Sequence, residues 1–296
     1  MPETGPLRLA VAQVTVHGDP SDAAALRDSG EQVRNLMRAA HRAGARLVHF
    51  PEGAMTCPNK RIVSVHGPAE VGPADWERVD WAVLREELAA TVALAGELRL
   101  WTVLGSIHRL TPPHRPHNSL YVISDRGRIA TRYDERMLSH TKVSYLYAPG
   151  SAPVTFEVDG VRLGCALGME ATYPEVFLEY ERLDVDGVLF STHGPGRPDN
   201  NGPFALQAQA HAAGNSYWVS YAGTTQDAAG APSGVISADG EWLARCPRDG
   251  TPAIVTVDLD DSAENPARPW RRTARGGVYD PHRIPDDPRS RDRATF

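Results

Sequence analysis

Two glutamates, a glycine and a histidine stand where strand-like runs of this chain give out. Glu52 closes "ARLVHFPE" (45–52), and the carboxyl end of a buried strand is where open α/β sheets place their ligands. A second run, "VRLGCALG" (161–168), breaks at Gly168; Met169 and Glu170 follow, and Tyr173-Pro174-Glu175 opens a helix. A sharp strand-to-helix turn presents one side chain and adjacent N–H groups to a pocket, the geometry that holds nucleophiles. Here the tip is glycine and has nothing to react. His193, in "STHGPG", ends another run and offers either an acid/base group or only a loop histidine. Cys165 lies on the same predicted strand as Gly168, roughly 10 Å back and on the opposite face, which makes it a buried filler. Cys57 reads as a loop thiol near the strand end of Glu52, and Lys142 as a surface lysine. Ser139, His140 and Thr141 bring hydroxyls and an imidazole together, but sequence neighbours rarely reach triad geometry.

Periodicity shows which elements must position these groups. Strand-like runs cover 8–16, 45–52, 100–107, 118–124, 154–168, 186–192, 217–223 and 253–260. Helical patterns lie between them: one from a Ser21 N-cap to a Gly44 C-cap, one over 76–99 and one over 203–215. Strands alternating with helices indicate an α/β layered domain with a buried sheet. The hairpin signals "SDRGR" (124–128) and "SADGE" (237–241) make parts of it antiparallel.

With 296 residues the chain can bury a sizeable core, and 41% hydrophobic with 23% charged residues is ordinary for a globular protein. A net charge of −6 argues against nucleic-acid binding. No secretory signal and no membrane-length apolar run are visible, and three scattered cysteines form neither a disulfide framework nor a CxxC site, so a cytoplasmic protein is expected. The expected domain covers 1–262, followed by an Arg/Pro-rich tail over 263–296 that is ordered only if it docks.

Three separated segments, "VHFPEGAMT" (48–56), "RYDERMLSHTKVSYLYAPG" (132–150) and "GVRLGCALGMEATYPEVF" (160–177), resemble in order and spacing the nitrilase, or carbon–nitrogen hydrolase, superfamily. The opening "LRLAVAQVTV" and the later "LFSTHG", "AHAAGNSYWVSYAG" and "SGVISADGEWL" resemble its other elements. The resemblance implies a four-layer α-β-β-α sandwich, dimers, and hydrolysis or transfer of amide, carbamoyl and nitrile groups without metal or organic cofactor. It also implies a glutamate base, a lysine and a cysteine nucleophile. The glutamate matches Glu52. The lysine position, in "RYDERML", is Glu135, and the cysteine position, in "GMEATYPE", is Gly168. A further family glutamate, shortly before "PG", is also missing; Lys142, Val143 and Ser144 stand there.

Two functional readings follow. In the first, the scaffold has lost thiol chemistry and binds a small polar ligand, lined by Met169, Glu170, Tyr173 and His193. A pocket with glutamates at 52, 135 and 170 favours amines, and it needs a compensating cation such as Arg136, a bound amine or, less simply, a metal. In the second, a working enzyme acts on an amide or amine by acid/base chemistry with Glu52, Glu135 and His193.

Overall fold

A computed structural model describes residues 6–194, 202–259, 267–292 and 294. The chain forms two compact units, 1–261 and 262–296. Among the described residues the first carries twelve strands: β1 (Leu7–Gln13), β2 (Leu47–His49), β3 (Trp101–His108), β4 (His117–Ser124), β5 (Arg128–Asp134), β6 (Thr155–Val158), β7 (Val161–Leu167), β8 (Gly187–Ser191), β9 (Trp218–Ala222), β10 (Gly234–Ile236), β11 (Trp242–Arg245) and β12 (Ala253–Leu259). They make two six-stranded sheets, ordered β12-β1-β2-β3-β4-β5 and β11-β10-β9-β8-β7-β6. Both are mixed: β1-β2-β3 and β7-β8-β9 run parallel, and the flanking pairs are antiparallel.

Strand alternation builds the layers. Leu7, Leu9 and Val11 of β1 join Leu163, Cys165 and Leu167 of β7 in a core between the sheets. Ala10 and Ala12 instead pack with α1 (Ala23–Arg42) and α2 (Trp81–Leu98), through Leu26, Val33, Met37 and Leu94. On the far side α3 (Pro174–Arg182) and α4 (Gly202–Asn215) cover the second sheet, with Phe177, Tyr180 and Ala208 against Val188 and Phe190. The result is the expected four-layer α-β-β-α sandwich.

Several boundaries differ from the expectation. The first helix is capped by Asp22, whose carboxylate accepts the Ala24 and Ala25 N–H groups, rather than by Ser21. The second starts at Trp81: Asp75 and Asp80 each cap a start, so a 3-10 turn at Trp76–Arg78 precedes the helix proper. The second unit, expected as an Arg/Pro-rich tail ordered only if it docks, contains α5 (Ala267–Arg275), whose Trp270 meets Tyr279 edge to face at 6.3 Å. The expected 262/263 boundary falls in 260–266, outside the described residues. Among the described residues no helix is long and apolar enough to cross a membrane.

Candidate active site

After β2 the chain folds back across β3. Gly105 permits this: a Cβ there would collide with the Pro51 carbonyl and sit 3.0 Å from Glu52 Cα. Phe50 N–H bonds Val103 O (2.9 Å) and Met55 N–H bonds Gly105 O (3.1 Å), which fixes Glu52 between them, buried. Glu135 prolongs β5 by one residue, its N–H on Asn118 O at 2.9 Å. Lys142 arrives from a single π-helical turn, Lys142–Leu146, closed by Tyr147 N–H on the Lys142 carbonyl (2.9 Å). Such wide turns recur at functional sites. Gly168 follows β7 with φ +51°, a left-handed conformation that costs other residues about 1–2 kcal/mol.

The charges meet at one point. Lys142 Nζ donates to Glu52 Oε1 (2.6 Å) and Glu135 Oε2 (2.7 Å), and Asn118 Nδ2 donates to the same two oxygens at 2.9 and 2.6 Å. Of the remaining oxygens, Glu52 Oε2 accepts the His193 backbone N–H (3.0 Å), and Glu135 Oε1 has only a long contact from Met169 N–H (3.4 Å). Gly168 faces this side. A Cβ on it would lie 2.9 Å from Glu135 Oε1 and 3.0 Å from both Glu52 Oε2 and Lys142 Nζ.

Burial, with the charges of Glu52 and Glu170, pushes the Glu135 carboxyl up to about 7 against the pull of Lys142. Burial also opposes the charge on Glu52, but there Lys142 and the His193 N–H prevail and hold it below the usual carboxylate value. Lys142 loses solvation, yet its two carboxylates keep it well above the ordinary lysine range. Two carboxyls with values driven apart are the arrangement of an acid/base pair.

The expectation of Lys142 as a surface residue is therefore wrong: it is the compensating cation, and neither Arg136 nor a metal is needed for that role. Arg136 instead pairs with Glu179 at 2.7 Å. Glu170, expected in the ligand pocket, is fully buried and spent internally. Its carboxylate takes the Tyr133 hydroxyl (2.7 Å) and the N–H groups of Arg136 (2.7 Å) and Leu167 (2.8 Å). Met169 and Tyr173 pack partly against the α3–α4 side of the second sheet. His193 contributes its backbone to Glu52, and its side chain acts electrostatically on Asp227. Ser139 Oγ has no partner, and Thr141 Oγ1 receives Lys60 Nζ, so no hydroxyl–imidazole pair forms. Cys165 is in the inter-sheet core. Cys57 lies within electrostatic reach of the cluster, but burial and Glu52 push its thiol up to about 12, so the thiolate form is suppressed.

Sequence reasoning missed Asn118 and the role of Lys142. A signal existed for both: Asn118 heads an apolar strand, and a pocket with this many carboxylates required a cation from somewhere. Among the described residues no group of three or more His, Cys, Asp or Glu side chains is placed to hold a metal.

The family profile described as carbon–nitrogen hydrolase matches residues 8–267. No curated protein matches the chain. Among solved structures, a cysteine-to-alanine mutant of the amidase from Nesterenkonia sp. AN1, of the nitrilase superfamily, is 18% identical with a TM-score of 0.69, covering 92% of this chain and 98% of that one. The same kind of mutant in complex with butyramide is similar at 18% identity and TM-score 0.69, over 95% and 98% of the two chains. Glutamine-dependent NAD+ synthetase from Acinetobacter baumannii is similar at 16% identity and TM-score 0.66, covering 87% of this chain and 46% of that one. These likenesses establish the fold.

Proposed function

The chain belongs to the carbon–nitrogen hydrolase family, and on that premise we propose that it keeps the family scaffold without thiol-dependent hydrolysis and binds a small amide or amine at the Glu52–Glu135–Lys142 cluster. Gly168 carries this reading. Two carboxylate oxygens and an ammonium converge on it within about 3 Å of where a side chain would start, and glycine supplies no atom that can attack a carbonyl. Among the described residues neither cysteine near the site substitutes, because Cys57 is held protonated and Cys165 is in the core. On the alignment by motif, Glu135 occupies the family's lysine position, and Lys142, Val143 and Ser144 stand where a further family glutamate is often found. On this reading Lys142 returns to the cluster the positive charge that position 135 lacks. Glu135 Oε1 and Glu52 Oε2 suit N–H donors, and Lys142 suits a carbonyl oxygen. An uncharged amide fits as well as an amine, because the cluster carries its own ammonium.

Thermal shift with butyramide, butylamine and butyrate tests the reading with one carbon skeleton and three head groups. The amide and the amine are expected to raise the melting temperature and the carboxylate to leave it unchanged, because a ligand that binds only the native state stabilises it. Ammonia release from butyramide should stay at the no-protein rate. Release that iodoacetamide abolishes by labelling Cys57 would overturn the proposal.

A second reading is favoured by one observation, the split between Glu135, raised to about 7, and Glu52, lowered. An enzyme using that pair as acid and base would release ammonia with a pH profile that breaks near 7, and Glu135→Gln would abolish it.

A further inference from the structure

A cavity of about 320 Å³ opens between α2 and the outer face of the first sheet. Its apolar wall is Trp81, Leu84, Leu88 and Ile107. Two hydroxyl residues, Ser106 and Tyr121, also line it, and both are buried, with 1% and 6% of their surface exposed. Ser106 Oγ has no hydrogen-bond partner, a costly condition for a buried hydroxyl unless a ligand satisfies it.

The proton on Tyr121 can be traced. Both remaining arms of the Arg132 guanidinium are held by Asp134, at 2.8 and 2.9 Å, and its third nitrogen meets His108 Nε2 at 2.8 Å. Arginine only donates, so His108 Nε2 accepts and the ring is neutral, with its proton on Nδ1. That N–H is spent on Tyr121 Oη, 2.8 Å away. The tyrosine therefore accepts from His108 and keeps its own proton to give. Burial raises its pKa to about 12, which keeps that proton in place. At the rim stand Arg85 and Arg109, the latter stacked 5.2 Å over the Trp81 ring. Neither makes an ion pair among the described residues.

Two hydroxyl donors at the wall, two uncompensated guanidinium groups at the rim and an apolar body between them define a ligand. From this we infer that the cavity is a binding site for a small monocarboxylate with an aromatic or aliphatic body. The carboxylate accepts from Tyr121 and Ser106 beside the arginines, and the body packs against Trp81, Leu84 and Leu88. A cavity of this size with few convergent polar groups fits a small-molecule site. The site is separate from the Glu52 cluster and independent of the reading given to it.

Calorimetric titration of the full-length protein with phenylacetate tests this, with benzyl alcohol as the uncharged control. Phenylacetate is expected to bind one site, and benzyl alcohol to bind about tenfold or more weakly, the effect of losing charge-assisted bonds. Tyr121→Phe and the exposed Arg109→Ala should each weaken phenylacetate about tenfold, and Leu88→Trp, which fills the cavity, should abolish binding. If Leu88→Trp does not fold, Arg109→Ala alone decides. Absence of binding, equal affinity for the alcohol or unchanged affinity in Arg109→Ala would each overturn the inference. So would a dimer in sedimentation whose interface buries this face and blocks phenylacetate.

Discussion

His49 and Glu52 are three residues apart at the end of the same strand, both buried, and their surroundings could hardly differ more. Ser191 donates its proton to Phe50 O (2.9 Å), so His49 Nε2–H must donate to Ser191 Oγ (2.7 Å), and Nδ1 accepts from Ser220 (2.8 Å). Every position is filled, the ring is neutral, and the two sheets are joined. Around Glu52 the same depth of burial holds three charges, and two carboxylate oxygens are turned towards a residue without a side chain. A structural polar cluster closes on itself. The Glu52 cluster instead leaves hydrogen-bonding capacity facing one point.

The sharpest test of that contrast is pH, because His49 and Glu135 respond with opposite sign. Burial depresses His49 from an ordinary 6.5 to about 3. Its folded value lies below the unfolded one, so its contribution is complete above pH 6.5 and lost as the pH falls towards 3. The loss is on the order of 5 kcal/mol, measured by urea unfolding from pH 7 to 3. His49→Leu should flatten that slope, and an unchanged slope would remove His49 from the account.

Next in size is a double-mutant cycle on the charged side. Glu135→Lys and Lys142→Glu each leave buried charge unpaired and should each cost about 3–5 kcal/mol. The double variant should recover most of it, whereas simple addition of the two losses would mean that the positions are not exchangeable. Then comes Glu135 itself, raised from 4.5 to about 7. Its folded value lies above the unfolded one, so its contribution is complete below pH 4.5 and lost as the pH rises through 7, by about 3 kcal/mol at most. Relative to wild type, Glu135→Gln should therefore gain stability between pH 5 and pH 8. The smallest expected effect is that of Gly168→Ala. At φ +51°, with its Cβ against movable side-chain tips, it should lose only about 1–2 kcal/mol, read as a lower urea midpoint with no change in the slope with pH.

What the sequence disclosed follows the same division. Alternation in β1 and β7 announces both the strands and the layers they face, because burial on two sides is written in residue type. Glu52 was legible from the strand end, and Glu135 and Gly168 from the order of motifs. Lys142 was not, because a π-helical turn has no periodicity of its own and burial of a lysine depends on carboxylates from two distant segments. The start of α2 was misplaced for a local reason: "WERVD" has helical composition, but Asp75 and Asp80 bind the backbone first.

The pairing of β1 with β12, from Leu7 opposite Leu259 to Gln13 opposite Ala253, bears on how the molecule is made. On the ribosome the first strand emerges long before its antiparallel neighbour exists, and Arg8 must wait for Asp258, its 2.6 Å partner. Until then one side of β1, with Leu7, Leu9 and Val11 behind it, is an open edge of the kind that recruits strands from other chains. Translation that stops before residue 253 yields a chain whose first sheet cannot be closed. Pairing of β12, the last strand among the described residues, covers that edge.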